Sequence, residues 1–174
     1  LMTEKELKII NSAINLFAQT GYDGTSTSII AKEAGVSEGL IFKHFKNKNG
    51  LLEKLIEISK EKLKDMINPL QELSHPKVIL KYILSIPLNI GQQEKKLFTV
   101  IYGVRWQIND KRIDLLKLFE PKILESFKAL NHNDPISETR TFLMILEGML
   151  LYVLKNDSQY SLLILDNLLE KFNL

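Results

Sequence analysis

The chain contains no cysteine and few helix-breaking residues, with 8 glycines and 5 prolines among 174 residues. The absence of cysteine excludes disulfides, thiolate metal sites and cysteine nucleophiles, and it is typical of proteins from a reducing compartment. Its 3 histidines, His44, His75 and His132, lie too far apart in the sequence to match a metal-ligand spacing. We therefore predict neither a metal ion nor another cofactor.

Long apolar runs are absent as well. The most apolar stretch, residues 142–154, contains Glu147 and falls short of the roughly 20 residues that a bilayer-spanning helix needs. No charged and then apolar leader opens the chain, and we interpret Leu1 as an added residue before a natural start at Met2. These absences predict a cytoplasmic protein without membrane contact.

The net charge is only +2 at pH 7, and it is evenly spread, since residues 1–50 carry six lysines and five acidic residues. Bulk charge therefore neither favours nor excludes nucleic acid as a partner. Apolar residues make up 45% of the chain, enough for a substantial core. The positions of individual charges are therefore more informative about possible partners than the net charge.

The chain has a helical pattern throughout, and its few glycines and prolines fall where helices should end. Thr3 and Glu6 form a capping-box pattern, and apolar residues then recur every three or four positions up to Gly21. Two short helices follow, and later helical patterns cover about 48–68, 76–90, 93–109, 112–130, 137–155 and 160–173. Without any alternating strand pattern, this predicts an all-α fold of about nine helices.

Several polar side chains precede these helices at positions that suit N-caps. Ser26, Ser37 and Asn47 are predicted to cap the second, third and fourth helices through their side-chain oxygens. Pro87 is predicted to kink or shorten the fifth helix, because proline cannot donate the backbone hydrogen bond of a helix interior.

The segment from Ser26 to Leu52 has the sequence form of a helix-turn-helix. Gly35 supplies the positive backbone angle that a tight turn requires, and the small Ala31 and Ala34 let two helices cross closely. The inward residues are predicted to be Phe17, Ile30, Val36, Ile41 and Phe45. The outward face of the third helix then carries Glu38, Gly39, Leu40, Phe42, Lys43 and His44. Such a face can enter the DNA major groove and meet base edges and phosphates.

This arrangement resembles the TetR family of bacterial transcriptional regulators. The matching residues are Leu16-Phe17, Gly21-Tyr22, Ser26-Thr27, Ile30-Ala31, Ala34 to Ser37, Phe42, Phe45, Lys48 and Leu51-Leu52. The resemblance implies a three-helix DNA-binding head over residues 1–47 and a helical effector-binding and dimerisation domain over 48–174, with helix four (48–68) as the connector. It also implies that DNA is contacted by Thr27, Ser28, Ser37, Glu38, Gly39, Leu40, Phe42, Lys43, His44 and Lys48.

Individual positions on this face allow more than one contact. Glu38 repels phosphates but can accept a hydrogen bond from cytosine N4. Leu40 either presses on a thymine methyl group or is partly buried. Lys48 opens a helix, where free amides and the helix dipole favour a phosphate, so we predict a phosphate contact there. The alternative for Lys43, Lys46 and Lys48 is an ordinary solvated face.

The last two helices carry apolar residues on every side. A helix that is apolar all round must be covered all round, and no further element of the chain is left to do this. We therefore predict a homodimer, as the resemblance also implies, with the interface residues Leu143, Leu146, Glu147, Leu150, Leu165, Leu168, Leu169 and Phe172. The alternative is that these helices form the central core of a monomer.

Aromatic and polar residues of the middle helices suggest a small-molecule pocket. The candidates are Tyr82, Phe98, Tyr102, Arg105 and Trp106, and the alternative is ordinary core packing. Gln107, Arg140 and Glu147 either orient such a ligand or make polar contacts elsewhere, which for Arg140 and Glu147 are ion pairs.

Together with these patterns, the resemblance implies a dimeric repressor that binds a palindromic double-stranded operator and is released by a small apolar or amphipathic effector. One alternative is a regulator of the same fold that answers to a protein partner or acts as an activator without a small-molecule ligand. A helical adaptor is another. We predict that the protein is not an enzyme, because no glycine-rich phosphate loop or nucleophile elbow appears.

Overall fold

The computed structural model describes residues 2–108, 114–155 and 161–174, and the side chains of residues 106–108 and 161 lie outside the description. Within these ranges the chain forms nine α-helices and no strand, which confirms the predicted all-α class. The helices are α1 Glu4–Thr20, α2 Thr27–Ala34, α3 Glu38–Phe45, α4 Lys48–Ile67, α5 Pro76–Ser85, α6 Gln92–Ile108, α7 Glu120–Ala129, α8 Pro135–Lys155 and α9 Ser161–Lys171.

Two of the three predicted serine and asparagine caps are present. The Ser26 hydroxyl accepts from the Ile29 amide at 3.3 Å, and the Asn47 side chain accepts from the Gly50 amide at 2.9 Å. Ser37 occupies the N-cap position of α3 as predicted, but its side chain accepts no capping hydrogen bond. The Leu40 amide instead donates to the Ser37 backbone carbonyl at 3.0 Å, so the first turn of α3 is closed by the main chain.

Proline positions explain where the middle helices start and stop. Helix α5 ends at Ser85, and Pro87 lies in the 3₁₀ turn Ile86–Asn89 that follows, as predicted. Helix α7 begins at Glu120 and not near residue 112, because Leu116–Phe119 forms a 3₁₀ turn and Pro121 occupies the first turn of the helix. Proline suits that position because its missing N–H has no partner there.

The chain divides into two compact units. The first comprises the described residues within 1–62 and 92–113, and the second those within 63–91 and 114–174. Helix α4 therefore contributes to both, and α6 shares a core with α1. The predicted boundary after residue 47 separates a DNA-binding region from an effector-binding region. The two structural units do not follow this functional division, which stays a prediction.

Each unit has its own apolar core. In the first, α1 packs against α2 and α6, and α2 packs against α3. Its most completely buried side chains include Ile9, Ala13, Ile30, Ile41, Leu51, Leu55 and Ile101. In the second, α7 packs against α5 and α8. Its core includes Leu80, Ile83, Leu84, Ile123, Phe127 and Phe142.

Two glycines of the head require different backbone conformations, and this difference can be measured. Gly21 (φ 78°, ψ 163°) lies in a region that only glycine adopts readily, whereas Gly35 (φ 64°, ψ 35°) is left-handed, which asparagine tolerates. We expect Gly21→Asn to lower the free energy of unfolding by about 1–3 kcal/mol and Gly35→Asn to lower it by less.

Urea unfolding of both variants, followed by circular dichroism, measures these losses. Gly39→Ala is the matched control, because Gly39 has an ordinary φ and no atom within 4 Å of an added Cβ, so we expect no destabilisation. Equal losses at Gly21 and Gly35 would contradict the distinction between the two conformations.

Candidate nucleic-acid interface

The recognition surface is built by the turn between α2 and α3. The Val36 amide donates to the Ala31 carbonyl at 3.0 Å, and the Gly35 amide donates to the Lys32 carbonyl at 3.2 Å, which closes the turn. Ile41 and Phe45 on the inner side of α3 are buried. The predicted inward set is confirmed except for Val36, which is only half-buried.

The opposite side of α3 faces solvent. Gly39, Phe42 and Lys43 are exposed, while Glu38, Leu40 and His44 are half-buried. Phe42 is a large apolar side chain with 47% of its surface exposed. On α2, Ile29 is also exposed, at 48%, and the sequence pattern did not single it out. Exposed apolar groups next to polar ones suit contact with thymine methyl groups and base edges.

Thr27 and Glu38, the first residues of α2 and α3, are joined by a hydrogen bond. The Thr27 hydroxyl donates to Glu38 Oε1 at 2.6 Å. This distance is typical of a hydroxyl that donates to a charged carboxylate. The sequence predicted both residues as separate DNA contacts, and the structure shows that they form a pair.

His44 is held by a residue of α1. Its Nδ1 lies 3.1 Å from Glu6 Oε1, while the other oxygen of Glu6 accepts from the Thr3 amide at 2.7 Å. The backbone hydrogen bond from Thr3, the Thr3 hydroxyl and then His44 together lower the pKa of Glu6 below its ordinary value. The capping box of α1 therefore also anchors the last turn of α3.

Lys48 contacts the protein itself. Its ammonium group donates to the Tyr22 carbonyl at 2.9 Å and to the Thr25 carbonyl at 3.1 Å, and it lies 4.3 Å from the centroid of the Tyr22 ring. Burial, and then the nearby charge of Asp23, raises the pKa of Tyr22. An ammonium group has three donors, so one N–H of Lys48 remains for a phosphate.

The segment that forms this surface matches a known protein family. Residues 9–55 match the family model described as bacterial regulatory proteins, tetR family. This segment is a TetR-family DNA-binding head. The matched segment contains the whole helix-turn-helix, the start of α4 and the predicted DNA contacts, so the predicted resemblance is confirmed for the head.

Two curated relatives of this chain are transcriptional regulators. The fatty acid metabolism regulator protein of Bacillus subtilis is 35% identical over 85 residues, which are 49% of this chain and 42% of that protein. The biofilm operon icaADBC negative transcriptional regulator IcaR of Staphylococcus aureus is 35% identical over 60 residues, 34% of this chain and 32% of that protein. The aligned segments therefore span less than half of these relatives. Their roles agree with the prediction that the chain is not an enzyme.

The fold extends beyond the aligned head. A crystal structure of AibR in complex with isovaleryl coenzyme A and operator DNA superimposes with a TM-score of 0.76 at 21% identity. The superposition covers 95% of this chain and 96% of that one. The helical body of this chain therefore shares its fold with that structure, in addition to the head.

The predicted effector residues do not all belong to one structural unit. Phe98 and Tyr102 are buried on α6, and the Arg105 guanidinium carbon lies 5.7 Å from the Tyr102 ring centroid. The half-buried Tyr82 belongs to the second unit, where its hydroxyl donates to the Met66 carbonyl at 3.0 Å. The side chains of Trp106 and Gln107 lie outside the described residues. The pocket stays a prediction.

A groove of about 450 Å³ lies elsewhere, within the first unit. It is lined by α1, α4 and α6, with apolar side chains such as Ile10, Ile14 and Leu97 on its floor. Lys62 and Glu94 form an ion pair at its rim, at 3.3 Å. Of the predicted effector residues whose side chains the structure describes, none lines this groove.

The predicted interface residues divide into buried and half-buried sets. Leu146 and Leu150 are buried within the chain. The half-buried ones are Leu143, Glu147, Leu165, Leu168, Leu169 and Phe172. Phe172 packs against Phe127 and Phe142 of its own chain, with ring centroids 6.4 and 5.4 Å apart.

The most exposed apolar residues of α8 and α9 are ones that the sequence prediction did not name. Met144 is 66% exposed, Leu162 68% and Leu163 61%. The sequence signal for them was present, because α8 and α9 are apolar on all sides. The apolar pattern alone does not predict which side of each helix stays exposed in the folded chain.

The expectations about a metal site and about a membrane-spanning helix can be compared with the described part of the chain. There, no group of three histidine, aspartate or glutamate side chains is placed to hold a metal ion. Among the described helices, none combines the length and the apolarity that a membrane crossing requires.

Proposed function

We propose that this chain is a homodimeric transcriptional repressor that binds a palindromic operator and is released by a small apolar or amphipathic effector. The observation that carries the proposal is the outward face of α3, which presents Glu38, Phe42 and Lys43 from a helix anchored at both ends. The family match over residues 9–55 covers this same face.

Repression and a response to a small ligand are supported by the relatives, and release from DNA is the part of the proposal that experiment has to test. IcaR is a negative regulator, and AibR forms a complex with isovaleryl coenzyme A and operator DNA. A ligand releases DNA only by binding the DNA-incompetent state more tightly. To move the ratio of the DNA-competent state to the DNA-incompetent state from 99:1 to 1:99, that preference must be about 10⁴-fold.

The first experiment selects duplexes from a random-sequence pool with the purified full chain. We expect a palindrome whose half-site centres lie roughly 34–36 Å apart, as two recognition helices require. Chains that bind no DNA sequence above background would contradict the proposal.

The alternative regulator, which answers to a protein partner or activates without a small ligand, is separated by a second measurement. A repressor with an effector is expected to show an upward shift of its melting temperature with one compound class and loss of operator binding with the same class. If no compound raises the melting temperature, the alternative is favoured.

Lys43 and Lys48 of the candidate nucleic-acid interface should differ in how truncation to alanine affects stability. Lys43 is exposed and makes no described ion pair, so Lys43→Ala is expected to reduce the salt dependence of operator binding, with the slope of log K falling by about 0.9. Stability should not change.

Lys48→Ala is expected to lower stability as well as affinity, because the Thr25 carbonyl loses its ammonium donor, whereas the Tyr22 carbonyl keeps the hydrogen bond from the Thr25 amide at 3.3 Å. An unpaired buried acceptor costs about 1–3 kcal/mol. Operator binding across a salt series, together with urea unfolding, measures both effects. A Lys48→Ala variant as stable as Lys43→Ala would contradict the internal role of Lys48.

A further inference from the structure

We propose that Thr27 is a positioning residue that holds Glu38 so that the carboxylate selects cytosine at one operator position. The inference rests on the proposed operator binding and adds to it a base preference and its structural cause. It starts from the hydrogen bond between the Thr27 hydroxyl and Glu38 Oε1, at 2.6 Å.

This hydrogen bond determines what each group can still do. An ionised carboxylate has no hydrogen to donate, so the Thr27 hydroxyl is the donor and its single hydrogen is engaged. A phosphate oxygen also only accepts. Thr27 therefore cannot donate to the DNA backbone while the bond to Glu38 is present, and its predicted role as a direct contact changes to that of a support.

The second oxygen of Glu38 is left for a ligand. No other group in the described ranges donates to Glu38, and the side chain is only half-buried. Glu38 is the first residue of α3, and the N-terminal residues of a recognition helix are those that meet base edges. The bond to Thr27 restricts the carboxylate to one orientation, which lowers the entropy lost when a base binds.

The chemistry of the free oxygen selects the base. In the major groove, guanine offers only acceptors, and thymine offers one acceptor and a methyl group. Adenine offers an N6 donor next to the N7 acceptor, which repels a carboxylate, whereas cytosine offers the N4 donor without N7 beside it. Cytosine is therefore the base that an oriented carboxylate prefers.

The test uses the full chain and duplexes selected by the wild type, with all four bases substituted at each position of both half-sites. Fluorescence anisotropy gives the affinity for each duplex. At one position we expect the wild type to prefer cytosine by about 5- to 150-fold, the range of a good base contact. Glu38→Gln should move the preference to adenine, which glutamine contacts through N6 and N7.

Thr27→Val removes the hydroxyl but keeps the shape of the side chain. We expect it to reduce the cytosine preference at this position by about fivefold or more while preferences elsewhere are kept. Thr27→Ser restores the donor and should restore the preference. Thr99→Val on α6 is the matched control, because it removes an exposed threonine hydroxyl that donates to the Lys95 carbonyl and lies outside the predicted DNA contacts.

Three results would overturn the proposal. One is a Glu38→Gln variant with an unchanged base preference. Another is a Thr27→Val variant that binds all duplexes more weakly by the same factor with a lower salt slope, since this would assign Thr27 to a phosphate. The third is a wild type that binds no duplex, which removes the proposed function as well. Urea unfolding of each variant confirms that the head is folded.

Discussion

Replacing Met144 and Leu163 together with aspartate is expected to make the protein monomeric and to weaken operator binding by about 100-fold or more. The two side chains are 66% and 61% exposed on α8 and α9 of the second unit. In the proposed dimer a partner chain covers them, and an unpaired carboxylate in such an apolar contact is strongly unfavourable. Two linked heads gain a factor of about 10² to 10⁴ in affinity over one, and a monomer loses it.

The control for this variant is Val78→Asp on α5. Val78 is also an exposed apolar residue of the second unit, at 47%, but it lies outside α8 and α9. We expect Val78→Asp to remain dimeric and to bind the operator as the wild type does. Light scattering at micromolar concentration and anisotropy with a two-half-site duplex give both readouts. A double variant that stays dimeric would place the interface on another face.

The local features of the head could be predicted because their causes lie close together in the sequence. The capping box of Thr3 and Glu6, the cap at Asn47 and the turn at Gly35 each involve residues within one helical turn. Ser37 shows the limit of such reasoning. A serine in the N-cap position need not use its hydroxyl when the main chain closes the first turn.

The pairs that define the site could not be predicted from the sequence. The Lys48 ammonium group reaches the Tyr22 carbonyl 26 positions earlier in the chain, and Thr27 reaches Glu38 across 11 positions. Periodicity places a side chain on a face of its helix, but it does not specify which neighbour that face meets. Outward polar residues were therefore interpreted as separate DNA contacts, whereas the structure shows that some of them hold one another.

The largest loss of stability is expected for Phe142→Ala. Phe142 is completely buried, and its ring centroid lies 5.7 Å from that of Phe127 in an edge-to-face contact and 5.4 Å from that of Phe172. Truncating a buried phenylalanine costs about 3–5 kcal/mol, a large part of the roughly 5–15 kcal/mol that holds a typical domain folded. Urea unfolding at fixed protein concentration should show a lower midpoint.

Phe172→Ala is the matched comparison, and it also tests where Phe172 acts. The side chain is half-buried and packs on Phe127 and Phe142 of its own chain, so we expect a smaller loss that does not depend on protein concentration. The sequence instead predicted Phe172 as an interface residue. If the interface role dominates, the loss becomes larger at low concentration, because unfolding is then coupled to dissociation. The concentration dependence therefore distinguishes an aromatic core contact within the chain from a contact with the partner.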